Sequence, residues 1–162
     1  MAAISAIKSL LENIIFLSTV TSLFTAQILK MIFYLIANKF KKKLDVIETL
    51  IWRTGGMPSS HSAAVCALAT SVGMKHNIDS DIFVFSLVFA VVVLRDSVGV
   101  RRAAGLQAKA LNSLGKQSAN LTGLDFNSVK EIQGHTPFEV IVGALLGIFI
   151  AVIFYIIIYN RI

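Results

Sequence analysis

The stretch GHTPFEVIVGALLGIFIAVIFYIIIY, residues 134–159, decides the fold class. Its last 20 residues, 140–159, carry no charge. At about 1.5 Å per residue such a helix covers the roughly 30 Å hydrocarbon core of a bilayer. The stretch opens on an ionisable pair, His135 and Glu139, one helical turn apart where the apolar run begins. A titratable side chain so close to hydrocarbon is costly and marks a functional position. Gly143 and Gly147, four residues apart, give the helix a face that a neighbour can approach closely.

Working outward, the 162 residues are 56% hydrophobic and 15% charged, with a mean hydropathy of +0.76. That is the composition of an integral membrane protein, read here as one domain over residues 1–162. A second span covers about residues 13–37, interrupted by Gln27 and Lys30, and a third about 82–98, ending on Arg95 and Asp96. Residues 59–74 are only mildly apolar, with Ala63, Ala67 and Ser71 at four-residue spacing, the pattern of a central helix shielded from lipid by its neighbours. The fold class is therefore all-α: a membrane helical bundle of about four transmembrane helices plus an interfacial amphipathic helix. That last helix is expected over 101–116, where Arg102, Lys109 and Lys116 fall seven residues apart and nearly in line. The N-terminal run, with Lys8 followed by Glu12 and no small-residue cleavage site, reads as a retained segment rather than a cleaved signal. The single cysteine, Cys66, excludes an intrachain disulfide and is expected to pack as a small apolar group.

Four crossings gather the 38–57 loop, the 99–134 region and both histidine segments on one side, with the termini opposite. The first side carries Lys39, Lys41, Lys42, Lys43, Arg53, Arg101, Arg102, Lys109, Lys116 and Lys130, against Lys8, Lys75 and Arg161. Even with the three arginines set aside as candidate site residues, the positive-inside rule places that side in the cytoplasm. The expected location is the bacterial inner (cytoplasmic) membrane, with the site facing the cytoplasm. Topology and anionic lipid account for the net charge of +6, most of all through Lys39-Phe40-Lys41-Lys42-Lys43. No nucleic acid is expected among the partners.

The second histidine segment, Met57-Pro58-Ser59-Ser60-His61-Ser62, also opens an apolar helix. The polar groups expected to meet are Lys30, Arg53, Ser59, Ser60, His61, Arg101 or Arg102, His135 and Glu139. This set is cationic and contains no metal cluster, so neither metal nor cofactor is expected. Cations, hydroxyls and the free amides of a helix start suit a phosphate group, and lysine or arginine offsets charge developing in a transition state. Two histidines divide a phosphoester hydrolysis between them, one attacking phosphorus and the other protonating the leaving oxygen. A carboxylate on the attacking histidine's other ring nitrogen fixes its tautomer, and Glu139 is one turn from His135. The same residue fits a capping box, with Thr136 as N-cap and Pro137 at the first helical position. Spacing alone leaves capping and catalysis open. Lys30 has a second reading as well, snorkelling toward head groups, with Gln27 on its face. Asp96 reads as a counter-ion for Arg95 or Arg101, and His76 as a solvated residue of the opposite loop.

Gly134-His135-Thr136-Pro137-Phe138-Glu139-Val140, followed by Gly143, resembles the last motif of type 2 phosphatidic acid phosphatases and vanadium haloperoxidases, a glycine-rich stretch leading to His, three residues, Asp. Pro58-Ser59-Ser60-His61 resembles their Pro-Ser-Gly-His motif. Together with Thr54-Gly55-Gly56-Met57 and Asp96-Ser97-Val98-Gly99-Val100-Arg101-Arg102-Ala103-Ala104-Gly105, these segments are similar to the divergent branch of that superfamily, in the same order, over about residues 20–155. The resemblance implies His135 as nucleophile, Glu139 as its orienting carboxylate and His61 as general acid. It implies Lys30, Ser59, Ser60 and Arg101 or Arg102 as phosphate ligands. There are departures: Glu139 stands for aspartate and Ser60 for glycine. The arginines lie 33 or 34 residues before His135 instead of six, and Lys30 and Arg53, 23 apart with no proline following, do not form the usual first motif.

The activity these readings imply is metal-independent hydrolysis of a lipid phosphomonoester through a phosphohistidine. The first candidate is phosphatidylglycerophosphate, with phosphatidic acid or an isoprenyl diphosphate behind it. The alternative from another class is a non-catalytic scaffold or carrier that binds lipid phosphate, motivated by the split arginine motif. A vanadate-dependent haloperoxidase comes third, since such a bundle has no evident reason to oxidise halide. The expected partners are a phospholipid substrate and the bilayer. A homodimer is a further expectation, because four or five helices are fewer than the six usual in membrane members of that superfamily.

Overall fold

The computed structural model describes residues 2–37, 56–131 and 134–159, and the regular structure among them is entirely helical. Lys39, Lys41, Lys42, Lys43, Arg53, Thr54, Gly55 and Arg161, which figure in the sequence reading, lie outside the described residues. The helices are α1 (Ala2–Leu11), α2 (Ile14–Ala37), α3 (Ser60–His76), α4 (Asp81–Val98), α5 (Val100–Thr122) and α6 (Pro137–Tyr159). Segments Ile14–Ile36, Asp81–Thr122 and Pro137–Ile158 are long and apolar enough to cross a membrane, α4 supplying the apolar part of the second. Their outward faces carry exposed Phe24, Phe85, Val88, Leu145 and Phe149. An apolar surface of this extent belongs in lipid. The protein is an integral membrane helical bundle.

α3 occupies the centre, packed against α2, α4 and α6. Its mild hydropathy follows from that place, since it meets protein on most sides and needs small residues more than greasy ones. Ala63, Ala67 and Ser71 are all buried. Against them lies α6, so close that a Cβ on Gly143 would collide with the backbone of Ser59 and one on Gly147 with the carbonyl of Ala63. Rising numbers on both helices show that α6 runs parallel to α3.

α2 covers another flank with every fourth residue, Ile14, Ser18, Ser22, Ala26 and Lys30, all buried. The hydroxyls of Ser18 and Ser71 lie 2.6 Å apart, and Ser22 Oγ donates to the Ala63 carbonyl at 3.1 Å. Numbers that rise on α2 fall on α3, so this pair is antiparallel. Lipid is as apolar as leucine, so close backbone approach and interhelical hydrogen bonds, on the order of 0.6 kcal/mol each, hold such helices together.

The three spans read from the sequence match α2, α4 and α6, the central helix expected over 59–74 is α3, and the amphipathic segment expected over 101–116 extends to Val100–Thr122. α1 is an additional element, an exposed amphipathic helix with Ile4, Ile7 and Leu11 solvent-accessible and a Lys8–Glu12 ion pair at 3.9 Å. Ten residues are too few for a periodic pattern to stand out. Gly99 separates α4 from α5, its N–H donating to the Arg95 carbonyl at 2.9 Å. Gly123, at φ +70, ends α5 with a left-handed cap bonded to Ala119. The chain then returns along α5 as an arm. Asn112, buried, donates through Nδ2 to the Val129 carbonyl and to Glu131 Oε1 and accepts from the Val129 N–H, each at 2.9 Å.

Candidate functional site

One end of the bundle collects the last turns of α2, the first turn of α3, the junction of α4 with α5, and the first turn of α6. The arm delivers Gly134 onto the backbone of Arg101 and Arg102, where any Cβ would collide. His135 follows, 6% exposed, with its N–H donating to the Ser97 carbonyl at 3.3 Å. Glycine is therefore required before the histidine for a steric reason, because the turn lies flat on another helix.

Glu139 makes the contacts that both readings call for, to the helix start and to His135. Its Oε2 accepts from the Thr136 N–H at 3.0 Å, and Thr136 Oγ1 accepts from the Glu139 N–H at 3.4 Å, the reciprocal pair of a capping box. The same Oε2 lies 3.1 Å from His135 Nδ1. An ionised carboxylate only accepts, so the proton belongs on Nδ1 and the lone pair on Nε2. Burial pushes the His135 pKa below its ordinary value, against the pull of the Glu139 hydrogen bond, and the charges of Lys30 and Arg101 act in the same direction as burial. A neutral imidazole with a free Nε2 is the nucleophilic form.

The second histidine turn is tied to the first through backbone. The Ser59 N–H donates to the Glu139 carbonyl at 3.1 Å, so the starts of α3 and α6 are pinned together. Ser59 is also the N-cap of α3, its Oγ accepting from the Ser62 N–H at 3.4 Å and from Ser62 Oγ at 2.8 Å. Its hydroxyl and amide thus serve the scaffold. The N–H groups of Ser60 and His61, at the first two helical positions, have no acceptor within the helix. His61 is exposed, in the field of Arg101, His135, Lys30 and Asp96.

Lys30 is 6% exposed, and its charge acts on Glu139 and on both histidines. Gly56, at φ +89, lies over its stem, where a Cβ would sit 3.6 Å from Lys30 Cγ. The side chain is enclosed by protein at the site, in contrast to the snorkelling alternative. Of the two arginines, Arg101 is the one whose charge reaches both histidines. Its Nε is ion-paired with Asp96 Oδ2, which settles the partner of Asp96 between the two candidates. Arg102 has an exposed side chain and supplies backbone to the Gly134 seat. No group of three or more His, Cys, Asp or Glu side chains suited to a metal occurs among the described residues.

Three contributors escape sequence reasoning: the Ser97 carbonyl, the Ser62 hydroxyl and the Asn112 clamp. Main-chain acceptors leave no sequence signal, and Asn112 stands alone on a polar face. Gly134 could have been found, as the glycine directly preceding a motif histidine.

A profile of the Divergent PAP2 family matches residues 11–150. The chain is 38% identical over 163 aligned residues to the uncharacterized membrane protein YuiD of Bacillus subtilis, an alignment covering 89% of this chain and 95% of the relative. No solved structure matches.

Proposed function

Because the chain belongs to the divergent PAP2 family, we propose that it is a membrane lipid phosphatase working through a phosphohistidine, with its site on the cytoplasmic face of the inner membrane. The observation that carries this reading is the 3.1 Å contact of Glu139 Oε2 with His135 Nδ1, which reserves Nε2 for attack. His135 Nε2 forms a bond to phosphorus as the bond to the lipid oxygen breaks, and His61 gives its proton to that leaving oxygen. Water then attacks the phosphohistidine, His61 takes the proton back, and phosphate leaves with His135 restored. Lys30, Arg101 and the Ser60 and His61 amides offset the charge on the phosphoryl oxygens, with Ser59 holding that turn. Glu139 stabilises the imidazolium character that grows on His135.

A cytoplasmic site suits a phosphomonoester made in the inner leaflet, phosphatidylglycerophosphate first, which would yield phosphatidylglycerol and phosphate. Phosphatidic acid and isoprenyl diphosphates are the other candidates, and a second copy completing the lipid-facing surface would make the working form a homodimer. The test is phosphate release from short-chain versions of these lipids by the purified wild type, His135→Ala and His61→Ala proteins. Release by the wild type and loss in both variants is expected. Undiminished turnover in His135→Ala would refute the mechanism.

A second reading has one observation in its favour: Arg101 is already held by Asp96, as in a site that binds lipid phosphate as a scaffold or carrier without turning it over. Phosphate binding that requires Lys30, with no release from any lipid, would select it.

A further inference from the structure

α5 leaves the bundle at Gly99 and, among the described residues, packs on no helix except α4. Its 23 residues reach about 34 Å. One side is covered by the returning arm, with the Phe126 ring set against Gly115 and Asn112 clamped to Val129 and Glu131. Another side is bare. Leu106, Leu114 and Leu121 are 60%, 64% and 88% exposed. Beside this leucine face runs the exposed stripe of Arg102, Lys109 and Lys116, and α5 contains no acidic residue. The acidic groups around it are engaged or set apart: Asp96 holds Arg101, Glu131 holds Asn112, and Asp125 lines a recess with Lys116 at the far end.

We infer that α5 is a docking surface for anionic phospholipid head groups, and that this docking holds the His135 turn in its seat. The occupant follows from two features. An exposed leucine face continuing directly from a membrane-crossing helix fits the acyl boundary, and a flanking cation stripe on a helix that itself carries no acid, with Asp125 near Lys116 at its end, is complementary to an anionic leaflet. A second copy of the same face would set like charges against one another. The link to the site is mechanical. Gly134 lies on the backbone of Arg101 and Arg102, the Asn112 clamp fastens the arm to α5, and the His135 N–H bonds to Ser97 at the α4 end. α5, arm and His135 turn therefore move as one piece. The inference goes beyond the phosphatase reading and does not depend on it.

The test uses the full chain in nanodiscs of phosphatidylcholine, alone or with phosphatidylserine, and avoids enzymatic turnover. A bimane label at Leu114→Cys in a Cys66→Ala background reports lipid contact through quenching by spin-labelled lipid. Strong quenching is expected only with the anionic lipid. It should be lost in roughly molar salt, and Lys109→Gln/Lys116→Gln should weaken the anionic-lipid response about 25-fold, each cation near such a surface contributing roughly a factor of five. In the same anionic discs, hydrogen exchange at the His135 amide should slow relative to neutral discs, and the double variant should abolish the difference. Equal quenching in both lipids, or contact between labels on two copies in its place, would overturn the docking. Exchange at His135 indifferent to lipid charge would overturn the coupling. Failure of the phosphatase reading would appear only in phosphate release, which neither measurement uses.

Discussion

Glutamine at position 139 separates the charge of Glu139 from its hydrogen bonds. Glu139 Oε2 serves Thr136 N–H at 3.0 Å and His135 Nδ1 at 3.1 Å, with the glutamate side chain 20% and the histidine side chain 8% exposed. Glu139→Gln keeps one oxygen for the helix cap, since glutamine also closes a capping box, so the cap should lose less than about 1 kcal/mol. In a protein of this size that is roughly 2–4 °C in Tm. The same amide oxygen also accepts from the Nδ1 proton, so the tautomer is kept and what is lost is the negative charge that stabilises the imidazolium. A hydrogen bond to a charged partner is worth about 1.5–3 kcal/mol against about 1 kcal/mol for a neutral one, so a loss of roughly tenfold in kcat is expected. Glu139→Ala also frees the tautomer and should lose about 10²-fold or more in turnover, and it gives up the cap, about 1 kcal/mol. The assay pairs phosphate release with thermal unfolding in detergent. If Glu139→Ala keeps more than about a tenth of wild-type kcat, a loss under about 1.4 kcal/mol of barrier, Glu139 is a cap and nothing more.

Four further outcomes are expected. Because burial depresses His135 below its ordinary 6.5, the unfolded chain binds more protons than the folded one between the two pKa values. Stability should therefore fall as pH drops through that window and level off below it, and in thermal melts from neutral to mildly acidic pH His135→Gln should flatten the fall. Gly147→Val drives a side chain into the Ala63 carbonyl and should cost at least about 1–3 kcal/mol, read as a lower melting temperature, whereas Ile148→Val on the exposed face should be near neutral. Asn112→Ala removes three hydrogen bonds to the arm; faster hydrogen exchange over 124–131 should follow while the α2–α3 amides stay protected. Arg101→Ala should weaken vanadate binding by about 10–100-fold, the worth of roughly 1.5–3 kcal/mol for a charged hydrogen bond, while Arg102→Ala should leave it within about threefold.

The crossing helices were legible because a bilayer demands long apolar runs, and 140–159 meets that demand without interruption. α3 was legible for a subtler reason: Ala63, Ala67 and Ser71 are small where a lipid-facing helix would be large. The pairing of His135 with Glu139 could be read from i, i+4 spacing on a helix start, and so could the capping box, but no sequence rule says that one carboxylate oxygen serves both. Spacing favours Arg101, which lies off the basic stripe on the side of small Gly105 and Ala108. Its ion pair with Asp96 and the seat of Gly134 on the backbone of both arginines are tertiary contacts that adjacency in sequence hides. The arm over 124–131 also defied pattern reading, because a segment clamped to α5 through Asn112 has no period.

The buried stripe on α2 has a consequence for inheritance at a distance. A helix is a stiff rod, so its rotation and axial position are common to all of its residues. The Ser18–Ser71 and Ser22–Ala63 bonds settle both for α2, and Lys30, twelve and eight residues further along the same stripe, takes its aim from them. A hydroxyl twelve residues away thereby sets where the cation whose charge acts on His135 stands. A change such as Ser18→Val, far from any reacting atom and mild by composition, would act on the charge of the site.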